Sequence, residues 1–307
     1  MNEIMDGRPS SCFRTTTISN YQRSAVKREL VKNLSNADCE AACYWSAELI
    51  CSGHFTDLWD TFMYYFAKHV HVGNPKLPIY FELRFKQFKT IASTSDELQL
   101  RNNPAIRQMF AEIAIILSTS TKKHAYEEIE IPEKEFILHE NTKIKAPSID
   151  FVKCFQPGDI KDLFIPANEF AYHLHVKDTI QACYWVEWII QLVSKKKKMS
   201  IAKRDYPVFE KYKTDPIWMV WDIVYDVEVK PPTKKILESL VRIFCIAYSP
   251  VANKKRKFLI YYAITLCCET VDIDIPFTDN KPYIEATLSK IENTYKEIKK
   301  NEILVFE

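Results

Sequence analysis

Lysines and arginines gathered into short runs can hold phosphate groups, and this sequence carries two such runs. Lys195, Lys196, Lys197, Lys198, Lys203 and Arg204 follow one another with no acidic residue among them. Lys254, Lys255, Arg256 and Lys257 form the second run, where a helix is expected to begin. Basic charge at a helix N-terminus opposes the helix dipole, so local helix stability does not explain that second run. A nucleic-acid backbone would engage both; a plain solvated lysine surface is the alternative.

Other residue types invite a metal or a nucleophile and then fail on spacing. His69 and His71, like His173 and His175, stand two residues apart. On a helix such positions point about 200° apart and do not converge on one ion. Cys39 and Cys43 share a helix face, but no third and fourth ligands stand nearby in sequence. Asp272 and Asp274, and the acidic stretch Glu127, Glu128, Glu130, Glu133 and Glu135, read as the wet side of extended segments. No catalytic, metal or cofactor residue is therefore assigned.

Glycine is the most restrictive count. Gly7, Gly53, Gly73 and Gly158 are the only four, and no two are close together. Phosphate-cradling loops need clustered glycines so that backbone N–H groups can approach the anion, which excludes the usual nucleotide loops and nucleophile elbows. The formal net charge of +2 restricts any affinity for acidic partners to local patches. Hydrophobic residues at 47% place the chain among folded proteins. Its nine cysteines, an odd number without a Cys-x-x-Cys pair, fit a reducing compartment rather than a disulfide framework.

The elements that would carry these residues are helical and occur twice. Ala42-Cys43-Tyr44-Trp45, opened by Asp38, returns as Ala182-Cys183-Tyr184-Trp185, opened by Asp178. Leu58-Trp59-Asp60 is matched by Val220-Trp221-Asp222, Arg107 by Arg256, and Ile129 to Pro132 by Ile273 to Pro276, all in one order. Such ordered recurrence indicates internal duplication. Asn74-Pro75, Asn103-Pro104 and Asp215-Pro216 mark helix starts, and Gly53 a left-handed helix end. The expected helices lie near 20–33, 37–52, 56–72, 76–93 and 104–119 in copy 1. In copy 2 they lie near 167–176, 178–194, 216–228, 232–248 and 253–270. Trp45, Trp59, Trp185, Trp221, Cys43 and Cys183 are the expected core.

The resulting fold class is mainly α, with two tandem diverged helical-bundle modules and a short extended or β connector. The expected segments are a flexible N-terminal piece over 1–19, copy 1 over 20–132, the connector over 133–164, copy 2 over 165–276, and a C-terminal amphipathic helix over 277–307. The longest apolar run, Phe258 to Cys268, falls short of the roughly 20 residues that cross a bilayer, and no signal-like segment opens the chain. An intracellular place without membrane attachment is expected, cytoplasmic or nuclear, or within a virion.

The stretches Ser24-Ala25, Asp38 to Gly53, Asp57-Leu58-Trp59 and Phe66-Ala67 to Asn74-Pro75 carry a resemblance. Over residues 20–76 the chain resembles the C-terminal helical region of clamp-loader-type AAA+ ATPases, especially the replication-associated recombination ATPases related to RarA. In that family a D-x-x-A-A-x-Y-W-x-A motif opens a helical hairpin. The resemblance implies a collar that joins subunits, beside DNA. It does not carry ATP hydrolysis over, because some 20 residues stand where the family has its ATPase module. The Lys-, Ile- and Tyr-rich usage resembles proteins of AT-rich large DNA viruses.

The leading expectation is a non-enzymatic scaffold that contacts protein subunits in a replication complex or a virus particle, without cofactor. A nucleic-acid-binding accessory protein acting through the two basic runs is the second reading. An enzyme of unrecognised type is the third.

Overall fold

Carboxylate and amide side chains set where the principal helices begin. Asp38 accepts a 3.0 Å hydrogen bond from the Ala41 N–H and opens α2 (Cys39–Cys51). Asp178 accepts one of the same length from the Gln181 N–H and opens α8 (Thr179–Lys195). Asn103 caps α6 (Pro104–Thr119), whose first residue is a proline that lacks only a donor the helix could not have used. The computed structural model describes residues 2–196, 199–278 and 280–302. These form two compact units, one comprising the described residues up to Lys123 together with those from Ile275 onward, the other His124–Asp274. Both are helical, and no β-strand occurs among the described residues.

In the first unit α2 lies against α1 (Arg23–Ser35), α6 and a C-terminal helix, α13 (Ile291–Lys300). Val26, Leu30 and Leu34 recur every fourth residue along α1 and are all fully buried. Beyond α2 the chain forms α3 (Phe55–Tyr65), α4 (Leu77–Ala92) and α5 (Glu97–Asn102). Trp59 of α3 meets Phe81, Phe85, Phe88 and Phe110 edge-on, with ring centroids 5.1–6.0 Å apart. Gly53 ends α2 at φ +73° as expected, and a Cβ there would sit 2.3 Å from Glu97 Oε1.

Two expectations for this unit change. The segment over 1–19 is not a flexible piece, because Ile4, Phe13 and Ile18 are buried. Buried Arg101 donates to the carbonyls of Asp6 (3.2 Å) and Arg8 (2.8 Å), and Asn102 exchanges two hydrogen bonds with the Ile4 backbone. The single C-terminal helix is instead two, α12 (Lys281–Leu288) and α13, and they fold with the first unit.

The second unit packs α8 against α7 (Phe164–His175) and α11 (Ala252–Cys268), with α9 (Ile217–Tyr225) and α10 (Pro231–Phe244) completing the bundle. Trp185, Trp188, Trp218 and Trp221 are all essentially buried. The stretch over 133–164, expected as a separate extended or β connector, belongs to this unit and contains short 3-10 turns. Its polar groups find partners on α8 rather than on a strand. Trp188 Nε1 donates to the Glu135 carbonyl at 2.8 Å and Tyr184 Oη to the Glu135 carboxylate at 2.5 Å, and just ahead of the stretch Gln191 Nε2 donates to the Ile129 carbonyl at 3.2 Å.

The α1–α2 and α7–α8 hairpins share one turn. Ala37 and Lys177 take left-handed φ values of 58° and 61°. The Ala37 and Lys177 N–H groups donate to Leu34 and Leu174, and those of Asp38 and Asp178 donate to Asn33 and His173. This pair of bonds is the Schellman helix ending, followed at once by the aspartate that caps the next helix.

Candidate functional site

The two basic runs come apart when placed in the fold. Lys195 pairs with Glu133 and lies 3.9 Å over the Phe136 ring, Lys196 pairs with Asp162 at 2.8 Å, and Lys203 pairs with Glu210. Lys197 and Lys198 lie outside the described residues. Arg204 is buried, with Nη2 2.7 Å from Asp159 and Nε 2.6 Å from Asp222, and it also donates to the Ala202 and Cys154 carbonyls. Burial works against its charge, but the two carboxylates outweigh that and raise its pKa. Asp222 is held above its ordinary value, burial outweighing its bonds to Tyr206 and Arg204.

The second run divides in the same way. Arg256 is buried and donates to the Phe244 and Ile246 carbonyls, tying the start of α11 to the end of α10. Lys257 is buried beside Glu128 (2.5 Å) and Glu187 (3.1 Å). Arg204, Arg256 and Lys257, expected to bind phosphate, are therefore internal, and their charge is used within the fold. A long helix buried on several sides turns one face of any basic run inward. Lys254 and Lys255 remain exposed.

The expected core residues are placed as follows. Trp59, Trp185, Trp221, Cys43 and Cys183 are buried. Burial pushes the Cys43 thiol up to about 12 and that of Cys183 well above its ordinary value, so both stay protonated and pack as small apolar groups. Trp45 departs from the expectation: it is only half-buried, edge-on to Tyr21 (5.4 Å) and Tyr44 (5.2 Å). Tyr21 is itself exposed and cannot close over it.

On α7 His173 is buried and His175 exposed, whereas His69 and His71 do not share an α-helix: α3 ends at Tyr65, half-buried His69 lies in a π-helical turn and buried His71 opens a 3-10 turn at φ 32°. Among the described residues no cluster of His, Cys, Asp or Glu is arranged to hold a metal ion. The first unit has a cleft of about 620 Å³ lined by Cys39, Asn74, Lys122, Asn280 and Tyr283. Lys122 donates to the Ser118 carbonyl there and Asn74 Nδ2 to Ser120 and the Phe277 carbonyl, while Asn74 Oδ1 is buried without a hydrogen-bond partner among the described residues.

Sequence reasoning missed several exposed apolar residues of the second unit, Ile149 and Ile137 among them. Ile180 is 75% exposed, Val251 72%, Phe209 71% and Val176 46%. A signal for two of them stands in the sequence: Val176 and Ile180 flank Asp178 where polar Asn36 and Glu40 flank Asp38. No helix among the described residues is long and apolar enough to cross a membrane. Comparison with models of known protein families, with curated proteins and with solved structures finds no match.

Proposed function

We propose that this protein is a non-enzymatic, collar-like helical scaffold, built from two diverged copies of one module, that joins protein subunits in a replication complex or virus particle. The shared Schellman turn, the aspartate caps of α2 and α8, and the carbonyl-tying arginines Arg107 and Arg256 support a common origin for the modules. The resemblance of residues 20–76 to a clamp-loader collar supports the assembly role.

One observation carries the reading furthest. At the same two places of the hairpin, copy 1 presents exposed Asn36 and Glu40, and copy 2 presents exposed Val176 and Ile180. Exposing aliphatic side chains leaves their transfer free energy unrealised, roughly 1.5–3 kcal/mol for each fully buried residue, until a partner covers them. In unit 1 Glu40 meets Lys290 at 2.9 Å, so that surface is satisfied by polar contact.

The test is light scattering coupled to size exclusion, alone and with candidate subunits. Wild type forms a complex, and Val176→Asn with Ile180→Glu, which copies the first module's residues, abolishes it while the thermal melt is retained. A wild-type protein that stays a monomer and binds no candidate contradicts the reading.

A further inference from the structure

We propose that one end of the second unit, formed by Phe209, Lys211, Val251, Lys254 and Lys255, binds single-stranded nucleic acid. Phe209 has most of its ring in solvent, yet the turn that carries it is firmly anchored. The Tyr212 N–H donates to the Phe209 carbonyl at 2.8 Å, and the Tyr212 carbonyl accepts from Trp218 Nε1 at 2.7 Å. Tyr206 stacks on Trp218 at 4.5 Å, and Tyr212 meets Tyr248 edge-on at 5.8 Å. A rigid backbone that holds an aromatic ring out in water offers a stacking platform at little ordering cost.

The same aromatic wall leads to the exposed lysines. Tyr248 Oη donates to Asn253 Oδ1 at 2.9 Å, and Asn253 directly precedes Lys254 and Lys255 in the first turn of α11. Val251, at the cap of that helix, adds an exposed apolar edge. Lys211 lies 4.8 Å over the Tyr212 ring. Among the described residues no carboxylate pairs with Lys211, Lys254 or Lys255, whereas nearby Lys203 and Lys213 are tied to Glu210 and Asp205. Placing two lysines in a first helical turn works against the helix dipole, a cost that a bound phosphate would offset. Unpaired lysines beside a presented ring match an alternation of phosphates and bases. Duplex DNA would leave the ring without an unstacked base.

The site is independent of the scaffold reading. The probe is a fluorescein-labelled oligothymidylate of about 20 nucleotides, followed by anisotropy across a salt series. Phe209→Ala weakens binding by roughly 5- to 100-fold and leaves the salt slope unchanged. Lys211, Lys254 and Lys255 changed together to Ala reduce the slope of log K against log salt by about 2. Lys195→Ala with Lys196→Ala, which removes side chains already paired, leaves both quantities as in wild type. The proposal is overturned if wild type does not bind the oligonucleotide at low salt, if the Phe209 and lysine variants bind as wild type does, or if anionic vesicles are bound and the oligonucleotide is not. The oligomeric mass of Phe209→Ala, measured alongside, separates failure of this site from failure of the scaffold.

Discussion

Arg204 illustrates what the interior does with a charge that a sequence reader would put outside. Its guanidinium fork reaches Asp159 and Asp222 at once, and Tyr206 Oη donates to the other Asp222 oxygen at 2.8 Å. Removing one member of such a group leaves buried carboxylates uncompensated, so Arg204→Met is expected to cost about 3–5 kcal/mol in urea unfolding. All three lysine N–H groups leave one nitrogen and cannot span the positions that Arg204 reaches with its separate Nε and Nη2, so Arg204→Lys should recover only part of the loss. The recurring motifs give no guide to Arg204, because the Lys195–Arg204 stretch has no counterpart in the first half of the chain. Arg256 has a parallel in Arg107 of α6, which is also buried, with Nε donating to the Arg101 carbonyl at 2.8 Å.

His173 carries the clearest pH signature at this scale. Among the described residues neither ring nitrogen has a hydrogen-bond partner, and Glu169 and Asp178 stand 3.7 and 3.8 Å away. Burial lowers its pKa, more than these carboxylates raise it, and burial likewise lowers His54 and His69. The unfolded chain then binds more protons than the folded one below the ordinary histidine value of about 6.5. The stability contribution is fully present above that pH and is lost as pH falls toward the lowered folded value. The thermal midpoint should drop between pH 7 and 5.5, and His173→Asn, which installs the residue type found at Asn33 in the α1–α2 turn, should reduce the drop. Glu48, Asp215 and Asp222, raised by burial, act in the opposite sense but cancel in the difference between variant and wild type. Equal pH dependence in both proteins would remove His173 from the account.

At the scale of elements, the caps were legible and the breaks were not. Asp38, Asn103 and Asp178 announce their helices, and each is a cap in the structure, whereas Asn74, expected to start a helix with Pro75, is not: α4 starts at Leu77 with Lys76 at its cap. Helix α5 was passed over although Asp96 and Gln99 form a reciprocal capping box, a pattern readable from the sequence. The break between α12 and α13 has no comparable signal, because Ile284, Ile291, Tyr295 and Ile298 continue one helical period through Ser289-Lys290. The extended or β connector expected after Pro132 forms no strand among the described residues, because a strand needs a neighbour and its polar groups bond to α8 instead. The hairpin turn yields a test of its own. Ala37 bears the strain of φ 58° without being glycine, so Ala37→Gly should stabilise the protein by about 1 kcal/mol in denaturant unfolding. Asp38→Ala should cost about 1 kcal/mol through loss of the cap. A destabilising Ala37→Gly would show that the turn is not held as described.

Across the whole molecule, the described residues form two helical units whose limits differ from the segments expected. The chain's first described residues and its last helices join the first unit through non-local contacts, such as Ile4 with Asn102, and Met5 and Asp6 with Glu302. Local patterning cannot encode contacts between residues almost three hundred positions apart, so a reading by segments leaves both ends free. The proposed divergence is functional as well as structural. One hairpin keeps polar residues at its tip, and the other exposes aliphatic ones on the same backbone. The most direct measurement is photocrosslinking of the full chain with a benzophenone side chain placed at Ile180 or, in parallel, at Glu40. The scaffold account predicts a discrete crosslinked species, with itself or with an added subunit, from position 180 and none from position 40. Crosslinks from neither position, or equally from both, would contradict it.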